Sequence, residues 1–334
     1  MPSRTDLIGS LEELRKSRIV CYFTGDRKNQ ETQIGDDVLP SLSEHLTQIG
    51  NIPQLDLLLY SRGGNTLTGF TLANALREFA KTVNVLVPFR AHSCATLIAL
   101  GANSMVAGPF AQLSPTDPSI TTPHGPTIEQ GGEIKFLPVS VEDVANFFEL
   151  ARHEAGLKEE QHLSAVLGHL CQRVSPLALG AVYRAREQIG MLAEKLLGIH
   201  TTDKERIDGI IKKLTRELLS HDYLIGRREA RTIGLNVVDA TNQEADLMWK
   251  VYEDVAQELH LTQPWNWDNE SQLSQPRVVG RAILQSKDIK HIFTSTYQIR
   301  RTTGQQAGQK VETLQIKLLD EGWKRTKQSE VMKK

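Results

Sequence analysis

The strongest constraint on the fold is an alternation of apolar strand patterns and helical patterns along the first third of the chain. The strand patterns are RIVCYFT (18–24), LDLLLYS (55–61), VNVLVP (83–88) and SMVAG (104–108). LDLLLYS is apolar almost throughout, as a strand covered on both faces is. Helical patterns with small or apolar residues on one face lie between the later strands. The alternation predicts βαβ units on a largely parallel sheet, and therefore an α/β fold.

The remaining chain predicts three further features. Residues 115–138 are rich in Pro, Gly and Thr and predict a long loop, which in a compact domain is often functional. Long amphipathic helical patterns follow residue 140, and the last sixty residues predict a β meander and a basic tail. We therefore expect a main domain over residues 1–262, a linker over 263–275 and a small C-terminal β appendage over 276–334.

Composition excludes several classes of function. The 334-residue chain has a net charge of −1, so no whole-protein field favours nucleic acid. No apolar window approaches the ~18 residues of a membrane span, and the N-terminus lacks a signal-peptide pattern. Three dispersed cysteines argue against a disulfide framework and fit a reducing cytoplasm. No zinc motif is present, because Leu157 interrupts HEAGLKEEQH, and we expect no metal and no cofactor.

The stretch RAHSCATLIALGA (90–102) has two interpretations. A serine that opens a helix after a buried strand is commonly only its N-cap. Alternatively, Ser93 is a nucleophile at the tip of a strand-to-helix turn, which requires backbone N–H groups aimed at the developing oxyanion. Gly63 and Gly64 end the neighbouring predicted strand, LDLLLYS. Because the carboxyl ends of parallel strands meet at one edge, we expect this glycine turn to face Ser93.

These motifs resemble the Clp-fold serine proteases, and most closely the serine dehydrogenase proteinase branch related to signal peptide peptidase A. SRGG is similar to the family's glycine pair, and HSCATLIALGA to the helix after its nucleophilic serine. LSPTDPSI resembles the G-P-x-D-P-Q segment of that branch, with Ser114 in place of glycine, and SHDYLIGRREARTIGL resembles a second segment of the branch. The resemblance runs from about residue 15 to 240 and implies a Clp/crotonase-like spiral with helical arms.

The resemblance implies roles for individual residues. Ser93 corresponds to the nucleophile, the N–H groups of Gly64 and Cys94 would hold the oxyanion, and Gly63 would shape the turn. The Cys94 side chain is expected to pack inward. Asp222 occupies the position of the triad aspartate. The histidine of the Clp protease proteolytic subunit has no counterpart here, because Thr116, Asp117 and Pro118 occupy its region.

Three residues are candidates for the general base. Lys135 lies in the long predicted loop, and the resemblance to Ser–Lys dyads of signal peptide peptidase relatives favours it. A lysine acts as a base only if desolvation lowers its pKa. His221 needs less tuning and could be oriented by Asp117 or Asp222. His124 is a third candidate. The simpler interpretations are a solvated loop lysine and a histidine at a helix C-terminus.

The leading functional hypothesis is a cytoplasmic serine peptidase that acts on a peptide or protein substrate. One alternative is a catalytically silent peptide-binding or scaffold protein on the same fold, because the expected histidine is missing. Another is crotonase-type acyl-CoA chemistry. We also expect a homo-oligomer, because the helix after residue 175 carries more apolar residues than one buried stripe needs. Those residues are Leu177, Leu179, Val182, Ile189, Leu192, Leu196 and Leu197. An unfoldase or adaptor partner is left open.

Overall fold

The computed structural model describes residues 2–116, 119–130, 133–218, 220, 222–270, 275–306 and 309–326. Its strands are β1 (Arg18–Thr24), β2 (Ile52–Tyr60), β3 (Ala80–Val87), β4 (Arg90–Ala91), β5 (Ser104–Ala107), β6 (Gln112–Leu113), β7 (Ser119–Ile120), β8 (Thr127–Gln130), β9 (Glu133–Phe136), β10 (Val139–Ser140), β11 (Ile225–Gly226), β12 (Val237–Asp239), β13 (Arg277–Gln285), β14 (Lys290–Gln306) and β15 (Gln309–Arg325). Its α-helices are α1 (Arg4–Arg15), α2 (Leu39–Ile49), α3 (Thr66–Phe79), α4 (Cys94–Leu100), α5 (Val141–Glu149), α6 (Glu160–Cys171), α7 (Pro176–Leu197), α8 (Lys204–Lys212), α9 (Arg227–Ile233), α10 (Asn242–Glu258) and α11 (Trp267–Glu270).

The main sheet has eight strands in the order β12-β5-β3-β2-β1-β13-β14-β15. The first five are parallel, and β13 pairs antiparallel to β1 with Cys21 opposite Gln285. The two antiparallel pairings of β13, β14 and β15 then extend the sheet. The parallel βαβ core predicted from the alternating patterns is confirmed, and the α/β fold class with it.

One face of the main sheet packs against α1 and α10. Leu7, Ile8 and Leu11 of α1 meet Met248 and Val251 of α10 in a single buried cluster. The same cluster includes apolar side chains of the central strands: Ile19, Cys21, Phe23, Leu58, Leu86, Val106 and Ile283. The helix and strand patterns therefore share one core. The parallel pairing of β1, β2 and β3 places their carboxyl ends at the same edge of the sheet.

The chain divides into two compact units. The first comprises residues 1–113 and 225–334, and the second comprises residues 114–224. The first contains the main sheet and the short sheet β11-β6-β4, so the C-terminal strands belong to the same unit as the βαβ core. Trp265, within the stretch expected to be a linker, is buried against Val279 and Ile299 of this unit.

The second unit differs from the sequence expectation in two respects. The segment expected to be one long loop contains the hairpin β8–β9 and the strand β7, which pairs with β10 directly after the segment. Its Pro, Gly and Thr content hid strands of only two to four residues. In α7, five of the seven apolar residues are buried within the chain, while Leu177, Tyr183 and Met191 are exposed. The apolar surplus is therefore real, but it lies partly on other residues than expected.

Candidate active site

The site begins with a buried hydroxyl network where β1 and β2 end. Thr24 Oγ1 donates to Ser61 Oγ over 2.6 Å, and the Gly63 N–H donates to the same oxygen over 2.9 Å. The Ser61 side chain is fully buried. The backbone of Ser61 also forms a parallel bridge to Ala91, with its N–H bonded to Arg90 O and its carbonyl accepting from the His92 N–H. Ser61 thereby links the glycine turn to the chain that leads into Ser93.

The glycine turn has a conformation that only glycine adopts without strain. Gly63 has φ +112° and Gly64 has φ +149°. Ile34 pairs with this turn, because its N–H donates to Gly63 O and its carbonyl accepts from the Asn65 N–H. A Cβ on Gly64 would collide with the Ile34 backbone. The Gly64 N–H forms neither of the two hydrogen bonds between Ile34 and the turn, so it is not used by the pairing with Ile34.

Ser93 has a strained backbone. Its φ of +51° and ψ of −116° lie outside the regions that L-residues favour. It precedes helix α4, yet its side chain makes no capping hydrogen bond to that helix. The simple N-cap interpretation is therefore wrong for the hydroxyl. Strain of this kind at a strand-to-helix turn is typical of a nucleophile elbow, in which it exposes the serine Oγ.

The glycine turn and the serine turn are in direct contact. A Cβ on Gly63 would lie 2.8 Å from the Ser93 Cβ, 3.1 Å from the His92 carbonyl oxygen and 3.2 Å from the Cys94 nitrogen. Cys94 is the first residue of α4, so its N–H has no acceptor within the helix. The positive end of the α4 dipole adds to the attraction for an anion at this point. The predicted facing of the two turns is thus observed.

Cys94 packs inward, as expected from its place after the serine. It is fully buried, and its Sγ lies 3.1 Å from the Asn65 carbonyl oxygen. Burial raises the pKa of its thiol to about 12, so the sulfur stays protonated at neutral pH. Gly69 of α3 has no room for a side chain against this sulfur. Cys94 can therefore serve the site through its backbone rather than as a nucleophile.

The candidate bases belong to the second unit or lie outside the described residues. Lys135 lies exposed on β9, so this conformation does not supply the burial that a basic lysine needs. Asp222 is exposed, with its N–H directed at Ser220 Oγ over 3.3 Å. His124 is also exposed. Asp117 and His221 lie outside the described residues.

Three charged residues beside the site were not anticipated from the sequence. The Asp26 carboxylate follows β1 and accepts hydrogen bonds from Arg62 and Arg90. Arg62 directly precedes the glycine turn, and Arg90 lies three residues before Ser93 in the serine turn. Both arginines stand in the stretches SRGG and RAHS that pointed to the site. The sequence does not show that they share Asp26, because the three residues come together only when distant segments of the chain meet in the folded structure.

Two kinds of feature are not found among the described residues. Among the residues that the structure places, no group of three or more His, Cys, Asp or Glu side chains could hold a metal ion. Within the same residues, no helix combines the length and apolar character needed to span a bilayer.

The parallel sheet, the glycine turn and the strained serine define a Clp-type α/β protein. Residues 3–143, which are less than half of the chain, match the family described as ClpP-like SDH-type serine proteinase. The match contains both turns of the site, Gly63–Gly64 and Ser93. The resemblance seen in the sequence motifs is confirmed.

Individual relatives are more distant. An uncharacterized protein of Methanocaldococcus jannaschii is 25% identical over 199 residues, which cover 60% of this chain and 58% of that protein. The match therefore spans little more than half of the relative. ClpP1 from Listeria monocytogenes aligns at 15% identity with a TM-score of 0.34, covering 69% of this chain and 96% of that one. An asparagine-to-aspartate mutant of that ClpP1 aligns at 15% identity with a TM-score of 0.36, covering 70% and 99%.

Proposed function

We propose that this protein is a serine peptidase with Ser93 as its nucleophile. The Ser93 Oγ attacks the scissile carbonyl as a base takes its proton, and the carbonyl oxygen becomes an oxyanion. The N–H groups of Gly64 and Cys94 stabilise that oxyanion, while Gly63 shapes the turn. Collapse of the tetrahedral intermediate expels the amine, which takes up the proton, and water then hydrolyses the acyl-enzyme.

The single observation that carries this proposal is the contact between a strained serine and a glycine turn. Strain at Ser93 is maintained by surrounding contacts, although a relaxed serine could cap α4 equally well. Loss of one oxyanion donor typically lowers kcat by about 10²–10³-fold, so a built-in pair of donors is a substantial catalytic device. The family match supports the same reaction class.

For the general base we propose Lys135, with His221 as the second candidate and with Asp117 and Asp222 as residues that could orient His221. Lys135 is exposed in the structure, so its use requires that bound substrate or a neighbouring subunit cover β9. A histidine base would not need this change.

Turnover of an unstructured protein tests the proposal. Full-length wild type should cleave fluorescently labelled casein, whereas Ser93→Ala should lose about 10⁶-fold of kcat and show no detectable cleavage in the same assay. The matched control is Ser10→Ala, which removes an exposed hydroxyl from α1 and should retain wild-type turnover. Equal activity of wild type and Ser93→Ala would refute Ser93 as the nucleophile.

A silent scaffold is the second candidate, and two observations favour it. The described structure shows Lys135 exposed, and the region expected to supply a histidine holds Thr116, Asp117 and Pro118. If the protein is a scaffold, the wild type and Ser93→Ala should bind casein peptides equally well, and neither should cleave them. Acyl-CoA chemistry is a lesser alternative, which thermal stabilisation by an acyl-CoA would revive.

We further propose a homo-oligomer located in the cytoplasm. Leu177, Tyr183 and Met191 expose 64%, 67% and 45% of their surface along α7, and a second copy is the partner expected to cover them. The free cysteines Cys21 and Cys94 fit a reducing compartment. A monomer mass from light scattering at micromolar concentration would contradict the oligomer. Nucleic acid is not among the proposed partners, because the net charge is −1.

A further inference from the structure

We infer that Asp26 is a positioning residue that holds the glycine turn and the serine turn in register through Arg62 and Arg90. This inference rests on the proposed function, because it concerns the placement of the same nucleophile and oxyanion donors. It adds a residue that neither turn contains.

The Asp26 carboxylate is fully engaged. Its Oδ2 accepts from Arg62 Nε over 3.0 Å and from Arg90 Nη1 over 2.6 Å. Its Oδ1 accepts from the Tyr60 hydroxyl over 2.8 Å. Only 7% of the Asp26 side chain is exposed, so these charge-assisted bonds form in a partly desolvated place.

The partners of Asp26 lie at the bases of the two turns. Arg62 directly precedes Gly63, and Arg90 lies on β4, three residues before Ser93. Asp26 itself lies two residues after the end of β1. One carboxylate therefore joins three chain segments that leave the carboxyl edge of the sheet, and two of them carry the proposed nucleophile and oxyanion donors.

Tyr60 and Phe89 hold the Asp26 carboxylate and the Arg90 guanidinium in place. Burial, followed by the nearby Asp26 charge, raises the pKa of Tyr60, so its hydroxyl remains a donor to the carboxylate. The Arg90 guanidinium stacks over the Phe89 ring at 4.3 Å from its centroid. Arg90 is thus held from both sides, whereas Arg62 is 59% exposed and depends on Asp26 for its orientation.

Loss of the Asp26 charge should misalign the turns rather than only weaken the fold. Without the carboxylate, two guanidinium groups face each other across the site and repel. A shift of about 1 Å between reacting groups can lower a rate by about 10²-fold. The contact between Gly63 and Ser93 leaves little room for such a shift without separating the donors from the nucleophile.

Asp56 provides a matched control for stability. It is a fully buried carboxylate in the middle of β2, and it bonds to Arg15, to Ser17 Oγ over 2.7 Å and to Asn84 Nδ2 over 2.8 Å. Asp56→Asn therefore also removes a buried charge from an arginine in the same unit. Its partners are the last residue of α1, the residue before β1 and the middle of β3, and none of them belongs to either turn.

The experiment measures the rate of covalent labelling of the full-length protein by a fluorophosphonate, with melting temperatures measured in parallel. Asp26→Asn should lower the maximal labelling rate by about 10- to 100-fold with little change in the half-saturating probe concentration. Asp56→Asn should lower the melting temperature at least as much and label at the wild-type rate. Wild-type labelling by folded Asp26→Asn would overturn the inference. Folded wild type that fails to label would instead refute the proposed function.

A second variant keeps the test decisive if Asp26→Asn does not fold. Arg62→Met alters a largely exposed side chain, so folding is not at risk. It should slow labelling. Adding Asp26→Asn to an Arg62→Met/Arg90→Met protein should slow labelling much less than Asp26→Asn slows it in the wild type, because Asp26 then keeps only its bond to Tyr60. An unchanged rate in Arg62→Met, or a full additional loss in the triple variant, would overturn the inference.

Discussion

A Cβ placed on Gly63 would lie 2.8 Å from the Cβ of Ser93, closer than two side-chain carbons can approach. Gly63 therefore lets the glycine turn touch the serine turn. This contact brings the N–H of Gly64, the N–H of Cys94 and the Ser93 hydroxyl into one small region. The account of the site depends on that contact, and the first prediction tests it.

Gly63→Ala should lower casein turnover by about 10²-fold or more, since it must displace Ser93 or the turn and so disturb the oxyanion donors. The φ of +112° adds strain for any L-residue. Gly209→Ala is the matched control, because a Cβ at Gly209 in α8 meets nothing within 4 Å. That control should be fully active. Normal turnover by folded Gly63→Ala would disprove the role of the contact.

Ser93→Gly should be more stable than Ser93→Ala by about 1 kcal/mol. Both variants lack the hydroxyl, so the difference isolates the strain at φ +51°, which glycine relieves, less the extra entropy of glycine in the unfolded chain. Urea denaturation measures the two free energies of unfolding. At Ser10 in α1, an ordinary helical position, the order should reverse, with glycine less stable by about 0.5–1 kcal/mol. The same order at both positions would show that Ser93 is not strained.

Lys135 is tested by substitution and by pH. Lys135→Arg and Lys135→Ala should each lose about 10²-fold or more of kcat, since arginine stays protonated and alanine has no base. Lys158→Ala removes another exposed lysine of the second unit and should be unaffected. Near-wild-type turnover by Lys135→Ala would transfer the role to His221. The rate should then rise near pH ~6.5, the ordinary pKa of histidine, and His221→Gln should be inactive.

A histidine pair in the first unit should make stability depend on pH. His45 is fully buried on α2, and its Nε2 lies 3.1 Å from Nδ1 of His291 on β14. Burial, the charge of His291 and that of Arg325 lower the pKa of His45 to about 4. In the unfolded chain His45 has its ordinary pKa near 6.5. Between pH 4 and pH 6.5 the unfolded chain therefore binds more protons than the folded protein. Stability is therefore full above pH 6.5 and is lost as pH falls toward 4.

The expected loss from His45 is about 2 kcal/mol between pH 7.5 and pH 5. Urea denaturation at the two pH values measures it. For His45→Gln, the difference between its own free energies of unfolding at the two pH values should be smaller than for wild type. His153→Gln, at an exposed histidine of the second unit, should keep the wild-type difference. An undiminished difference in His45→Gln would show that another group is responsible.

Much of the fold could be predicted from the sequence because its signals are local. RIVCYFT forms β1 over the predicted residues, and the two turns follow the strands that their sequence patterns predicted. The antiparallel pairing of residues 277–285 with β1 has no local signal in the sequence, because the paired residues Cys21 and Gln285 are far apart along the chain. Likewise, nothing near Asp26 in the sequence shows that Arg62 and Arg90 share it.

The candidate site could be predicted in part for the same reason. Ser93, Gly63 and Gly64 stand in motifs, and their contact follows from the geometry of a parallel sheet. The strained backbone of Ser93 could not be predicted, since its φ of +51° is unusual for serine and no local pattern in RAHS signals it. The base belongs to neither motif, so its identity stays a prediction.

The most direct test of the central claim is to locate the fluorophosphonate adduct in the full-length protein by mass spectrometry after digestion. The account predicts a single adduct on the peptide that contains Ser93, formed by wild type and absent from Ser93→Ala, with both proteins shown to be folded by their melting transitions. Folded wild type that carries no adduct, or an adduct on another residue that persists in Ser93→Ala, would contradict it.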